Sequence, residues 1–356
     1  MRLQLLRRLR IAPFALAVFV CLAAHARAQV SPSMDSPDTP TGAPEQQQPS
    51  DADKPTDETQ MTPFKGGTSL VNLFFTVRDK SGVPDPTLTQ GDCTVAEDKQ
   101  PRTLKNFGLV RDQHLTLGVL LDISYSQRSV LGMEQEAGKQ FLRQVLDPKT
   151  DQAFVMTVAA NADLVQDYTA SLHRLDQALD KAQINAGGLT GDFIPGLSKP
   201  KGTVLWDAVY LAGNDEFKQE AGRHAMVLLT DGDDEGSDVK LQQAIEAAQR
   251  ADALVFVLLL YDPRAYMGTG GMYHGDHDIR KLAEATGGHV YVIGHDPRKL
   301  EKAFDDLSTA LHTEYTATFV PTRLDGKYHA LEVQCKGEGR KVEARKGYYA
   351  VVPTDQ

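Results

Sequence analysis

Three cysteines in 356 residues are too few for a disulfide-dense miniprotein, or for a zinc site built from four thiolates. Positive charge is also in deficit: 38 Lys and Arg stand against 48 Asp and Glu, a net charge of -10. General nucleic-acid binding needs clustered Lys and Arg to displace phosphate counterions, so no nucleic-acid partner is expected. The most apolar stretch, Ile11 to Ala24, has 14 residues, short of the roughly 20 that span a bilayer. Catalytic signatures are missing as well. There is no nucleophile-elbow Gly-x-Ser-x-Gly, no phosphate-cradling Gly-rich loop and no Cys/His nucleophile arrangement, so the chain is not expected to be an enzyme. What is present is a globular composition, 41% hydrophobic, and a length that suits two domains.

The first residues read as an export signal. Arg2, Arg7, Arg8 and Arg10 form a basic region, the apolar stretch follows, and Ala26-Arg27-Ala28 supplies a small-x-small cleavage site. A signal peptide over 1–28 implies a periplasmic or secreted protein with no stable membrane insertion after cleavage. Removing it takes away five arginines and no acid, which leaves a net charge of -15. Residues 29–65 follow as a linker. Between 30 and 63 lie seven prolines and seven Asp or Glu but no aromatic residue. Such a segment cannot bury enough apolar surface to offset its chain entropy, and a disordered spacer is expected.

From Val71 to Val77 the residues are β-formers ended by the turn signal Asp79-Lys80-Ser81-Gly82, and Thr94–Glu97 and Thr103–Leu109 look like two more short strands. Leu117 to Leu121 is then a continuous apolar run, as in a strand covered on both faces. Val130, Met133, Ala137, Phe141 and Val145 follow at helical spacing. Strands at 153–159, 164–168, 225–229, 253–260 and 290–293 alternate with helices at 172–184, 204–217, 241–250, 279–286 and 298–311. That alternation implies an α/β domain over 113–312, a doubly wound and mostly parallel sheet with helices on both faces. After His312 short strands return at 316–320, 330–335 and 341–349. Neither β block suffices alone, so 66–112 and 313–352 are expected to pair into one small antiparallel β domain with the α/β domain inserted between them.

In open α/β sheets, ligands bind beyond the carboxyl ends of the strands. There the chain carries Asp122-Ile123-Ser124-Tyr125-Ser126, Thr203 after Lys201-Gly202, and Thr230-Asp231-Gly232. Hard oxygens converging without His or Cys suit Mg²⁺, or Mn²⁺ and Ca²⁺, better than zinc or copper. Hydroxyls from Ser124, Ser126 and Thr203 are neutral, so a bound ion keeps most of its charge for an acidic group from a partner.

At these residues the sequence resembles the von Willebrand factor A domain and its metal-ion-dependent adhesion site, whose five positions match Asp122, Ser124, Ser126, Thr203 and Asp231 in order. The likeness extends to a VWA-related family of secreted acidobacterial proteins through Leu70-Val71-Asn72, Val77-Arg78-Asp79, Glu97-Asp98, Asn106-Phe107, Leu205-Trp206-Asp207-Ala208, Thr286-Gly287-Gly288 and Arg345-Lys346-Gly347-Tyr348-Tyr349. Cys93 stands where an aromatic is usual, Lys99 where a turn glycine is usual, and Tyr125 at a position the motif leaves open. The resemblance implies a Rossmann-like fold and a cation-dependent adhesion module for a protein partner. In it Ser124, Ser126 and Thr203 are direct ligands, while Asp122 and Asp231 act through water or hydrogen bonds. The plainer alternative is a degenerate site in which both aspartates merely cap helices and satisfy loop amides, in a structural envelope or matrix protein whose contacts are made by the β domain.

Other signals are weaker. The Gly-rich stretch 261–278, with His274, Asp276, His277 and Asp278, reads as a polar loop over the metal face, and 187–201 as a second loop on its rim. The acidic run 231–236 lacks the spacing of a calcium loop, and a helix starting near Ser237 explains it better. Cys93 and Cys335 lie one in each β flank. Either they form a disulfide, with about 5 kcal/mol as the ceiling for so long a loop, or they are two buried thiols.

Overall fold

The computed structural model describes residues 70–110, 113–185, 202–261 and 275–352. The signal peptide, the linker, the 187–201 loop and most of the 261–278 loop lie outside the described residues. Among the described residues, fourteen strands and six α-helices follow in chain order. The amino-terminal flank gives β1 (Val71–Arg78), β2 (Cys93–Glu97), β3 (Gln100–Arg102) and β4 (Leu104–Leu109). The middle of the chain gives β5 (Leu115–Asp122), α1 (Leu131–Val145), β6 (Gln152–Val158), β7 (Ala162–Thr169), α2 (Leu172–Lys181), α3 (Leu205–Leu211) and β8 (Arg223–Thr230). It continues with α4 (Leu241–Arg250), β9 (Ala253–Leu260), α5 (Gly275–Thr286), β10 (Val290–Gly294) and α6 (Pro297–His312). The carboxyl-terminal flank adds β11 (Tyr315–Phe319), β12 (Tyr328–Cys335), β13 (Lys341–Ala344) and β14 (Gly347–Tyr349).

The central sheet has the order β10-β9-β8-β5-β6-β7, parallel except for the β6–β7 pair. Every residue of β5 is buried, because helices cover both faces. Leu117, Val119 and Leu121 pack with Phe141 of α1, Leu175 of α2 and Leu307 of α6. Leu120 faces the other way, toward Leu205 of α3, Ile245 of α4 and Ile279 of α5. The α/β part is therefore doubly wound, with three of the described helices on each face. The chain builds β5, β6 and β7 in one direction and then β8, β9 and β10 in the other. The order reverses between β5 and β8, and the loops after those two strands flank the crevice.

The flanks interleave into two four-stranded sheets, β13-β1-β11-β4 and β14-β12-β2-β3. Leu73, Phe75 and Tyr315 from the first share one core with Val95, Leu331 and Tyr348 from the second. The two flanks thus pair into one antiparallel β unit, as expected from the sequence, and it is built as a two-sheet sandwich. The expected strand 341–349 is in fact two. It breaks at Arg345, whose side chain turns inward to pair with Asp252 and to donate to the Asn72 carbonyl at 2.7 Å. Lys346 N–H donates to the Ala285 carbonyl at 3.0 Å, so the chain crosses from one sheet to the other at the α/β surface. Cys93 and Cys335 face each other in the β2–β12 register and are joined by a disulfide, their Cα atoms 4.1 Å apart. Lys99 adopts φ 68° in the β2–β3 turn, the left-handed region in which glycine is cheapest.

Three helices differ from their sequence expectation. The 204–217 segment is α-helical only to Leu211 and continues as a π-turn over Ala212–Glu216. Helix α2 stops at Lys181, and α5 begins at Gly275 rather than at 279, which places Asp276, His277 and Asp278 in its first turn. Asp276 pairs with Arg280 at 2.8 Å, one turn on.

Candidate cation site

Register brings the candidate residues together. Leu121 of β5 pairs with Leu229 of β8, so Asp122 and Thr230 end neighbouring strands. Asp122 is 1% exposed and both its oxygens are engaged. Ser124 N–H donates to Oδ1 at 2.9 Å, and the Thr230 hydroxyl donates to Oδ2 at 2.7 Å. The next turn of backbone sets the hydroxyls of Ser124 and Ser126 3.0 Å apart, both half-buried, while Tyr125 between them is exposed.

Thr203 lies on a separate loop tied to the same edge of the sheet. Its carbonyl accepts from Glu235 N–H at 3.0 Å and from Gly236 N–H at 3.2 Å, while Val204 N–H donates to the Ala159 carbonyl at 2.8 Å. Those bonds tie the Thr203 loop to the segment after Asp231 on one side and to the end of β6 on the other. Asp231 is 2% exposed. Behind it, Gly232 takes φ 85° and donates its N–H to Thr230 Oγ1 at 2.9 Å.

The acidic run after Asp231 has a structural task. Asp234 Oδ1 accepts from Trp206 N–H at 3.2 Å, and Ser237 Oγ accepts from Trp206 and Asp207 N–H at 3.0 and 3.1 Å. Asp207 answers by accepting from Asp238 and Val239 N–H at 3.1 and 2.9 Å. Asp234 and Ser237 therefore satisfy the first turn of α3, and no helix starts at Ser237. Helix α4 begins only at Leu241.

A third carboxylate was not legible as a site residue. Glu134, in the first turn of α1, is 0% exposed, and neither of its oxygens finds a hydrogen-bond partner. It occupies the buried face where Met133 was expected; Met133 is only half-buried. The available signal was a Glu four residues after Val130 and three before Ala137, inside an otherwise apolar stripe.

Burial dominates the electrostatics of this crevice. Desolvation, and then the charge of Asp231, pushes Asp122 up to about 7, although the Ser124 and Thr230 hydrogen bonds pull the other way. Burial, and then the charges of Asp122 and Asp231, holds Glu134 well above the usual carboxylate range. A divalent cation fits this donor set. The hydroxyls of Ser124 and Ser126 lie close enough to share one ion, and a buried carboxylate with no hydrogen-bond partner is stabilised in its charged form by a nearby cation. Among the described residues no three His, Cys, Asp or Glu side chains form a metal cage. Such an ion would thus depend on the hydroxyls of Ser124, Ser126 and Thr203.

No protein-family model matches the sequence, and no curated protein matches it. Solved structures are similar to it. A von Willebrand factor type A protein from Catenulispora acidiphila is 15% identical, covering 81% of this chain and 75% of its own, with a TM-score of 0.44. The conserved hypothetical protein BatB from Bacteroides thetaiotaomicron is 18% identical over 55% of this chain and 98% of its own, with a TM-score of 0.43. A proximal thread matrix protein from the mussel byssus, with a zinc-occupied metal-ion-dependent adhesion motif, is 18% identical. It covers 59% of this chain and 49% of its own, with a TM-score of 0.44. Among the described residues, no helix is long and apolar enough to cross a membrane.

Proposed function

We propose that the chain is an exported, non-enzymatic binding module that recognises a protein partner through a divalent cation, Mg²⁺ or else Mn²⁺ or Ca²⁺. Ser124, Ser126 and Thr203 would hold the ion directly. Asp122 and Asp231 would act through water or hydrogen bonds, in keeping with the two Asp122 oxygens already engaged by Ser124 and Thr230. The ion would supply a positive charge that a partner's Asp or Glu completes. The observation that carries this reading is the Ser124–Ser126 hydroxyl pair, 3.0 Å apart, beside buried Asp122 at the switch point of the sheet. Everything else is the protein's own positioning. Thr230 fixes the Asp122 carboxylate, and the backbone bonds of Thr203 hold its loop against the segment after Asp231.

The test is a thermal melt of the full chain after chelation, titrated with Mg²⁺, Mn²⁺ and Ca²⁺, beside Asp122→Ala. An ion that binds only the folded form raises stability by mass action, about 2.7 kcal/mol at a hundredfold excess over Kd. A shift lost in Asp122→Ala supports the site, and no shift at millimolar ion overturns it. A glutamate-bearing peptide should then be retained with the ion and released by chelator. Equal retention of its glutamine counterpart would sink the acidic-partner reading.

A further inference from the structure

Glu134 departs from the ordinary treatment of a buried carboxylate. Among the described residues it is the carboxylate with both oxygens buried and neither hydrogen-bonded. An ionised group in that position costs several kcal/mol unless a countercharge is supplied. The charges that act on it are those of Asp122 and Asp231, both of its own sign. A second orphan lies in the same segment. Gln127, 1% exposed and one residue after Ser126, donates its side-chain N–H to the Leu260 carbonyl at 3.3 Å, but its Oε1 has no partner. The segment that follows Ser126 thus buries acceptors without donors, and such acceptors call for a cation or its water shell.

We propose that Glu134 is a positioning residue of the cation site, holding the ion's water shell from the α1 side and adding a third negative charge behind Asp122 and Asp231. This rests on the reading that the crevice takes a divalent cation. It also changes what that site can do. Three neutral hydroxyls backed by three carboxylates retain a divalent ion before any acidic partner arrives, so the partner meets a preloaded site.

The experiment is a direct Mn²⁺ titration of the full chain, read from the loss of the free-ion electron paramagnetic resonance signal. Wild type, Glu134→Gln, Glu134→Asp and Asp122→Ala are compared. Residues that orient a metal's shell typically change affinity by about 10–100-fold, and a loss of that size is expected in Glu134→Gln. Glu134→Asp keeps the charge on a shorter arm, so it should bind more tightly than Glu134→Gln and show an altered bound-ion spectrum. Wild-type affinity in a folded Glu134→Gln overturns the inference and makes Glu134 a packing residue. If Glu134→Gln does not fold, Glu134→Asp decides: weaker binding than wild type supports the role, and equal binding overturns it. Failure of the underlying reading looks different, since wild type itself would then leave the free Mn²⁺ signal unchanged. A wild type that binds, with loss in Asp122→Ala but none in Glu134→Gln, removes only the role of Glu134.

Discussion

The hydroxyl of Thr230 donates a 2.7 Å hydrogen bond to Asp122 Oδ2, across the ends of two strands that are 108 residues apart in the chain. The same oxygen of Thr230 accepts from Gly232 N–H at 2.9 Å, so one side chain fixes both the carboxylate and the turn that carries Asp231. Thr230→Val keeps the shape and removes both bonds. It should cost about 1–3 kcal/mol through the acceptor and donor left unsatisfied, and weaken Mn²⁺ binding by about tenfold. Urea denaturation and a Mn²⁺ titration check the two effects separately. A variant with unchanged affinity would show that Asp122 needs no such support.

The sandwich contains a histidine held between two carboxylates. His329 Nδ1 lies 2.8 Å from Asp98 Oδ2, and Nε2 lies 3.1 Å from Asp325 Oδ1. Burial alone would lower its pKa, but the hydrogen bonds and charges of Asp98 and Asp325 outweigh it and raise the value above 6.5. The folded state therefore binds the proton more tightly than the unfolded chain. Its contribution is complete below about pH 6.5 and is lost as pH rises through the folded value. Asp98 and Asp325, both lowered chiefly by their bonds to His329, act in the opposite sense and lose their contribution as pH falls through their own folded values. Stability should decline in wild type as pH rises above about 6.5, and His329→Gln should flatten that slope. The measurement is the urea midpoint across that range.

The Cys93–Cys335 bond closes a span of 242 residues, with the whole α/β part inside it. Cross-linking so distant a pair restricts the unfolded chain, and the double Cys→Ala variant should lose about 2–4 kcal/mol. Reduction of the wild type should lower the denaturation midpoint to the same place. A midpoint indifferent to reductant would mean that the sandwich is fixed by its strands alone.

Two glycines separate kinds of crowding. A Cβ at Gly288 would sit 1.9 Å from the Val255 carbonyl oxygen, in the backbone of β9. A Cβ at Gly118 would meet the tip of the Phe154 ring at 2.5 Å. A ring can shift where a central strand cannot. Gly118→Ala should cost about 1–3 kcal/mol, and Gly288→Ala upward of about 4 kcal/mol or the fold itself, on the same denaturation assay.

The long strands were legible because burial on both faces leaves a continuous apolar run. The β9 segment 253–260 and the α4 segment 241–250 match their sequence limits residue for residue. Shorter elements were not. The run 341–349 reads as one strand, yet Ala344 and Gly347 belong to different sheets, because Arg345 leaves the ladder to reach Asp252 and the Asn72 carbonyl. The motif residues outside the crevice also acquire a purpose only in three dimensions. Thr286 bridges Arg345, and Gly287, at φ 87°, lies so close that a Cβ would sit 2.5 Å from Arg345 N. Thr286-Gly287-Gly288 and Arg345-Lys346-Gly347 thus join the sandwich to the α/β part, far in function from Ser124.

The sequence by itself determined the alternation of strands and helices, and the placing of oxygen side chains just beyond strand ends. Both are local matters, since the period of buried positions is set by each segment's own backbone geometry. Tertiary structure alone decided which flank strands pair, how β1 comes to lie between β11 and β13, and that Glu134 is buried within the field of Asp122 and Asp231. Those relations join residues from 12 to about 270 positions apart. They exist only because the sheet reverses its order between β5 and β8 and the two flanks of the α/β part close into one sandwich.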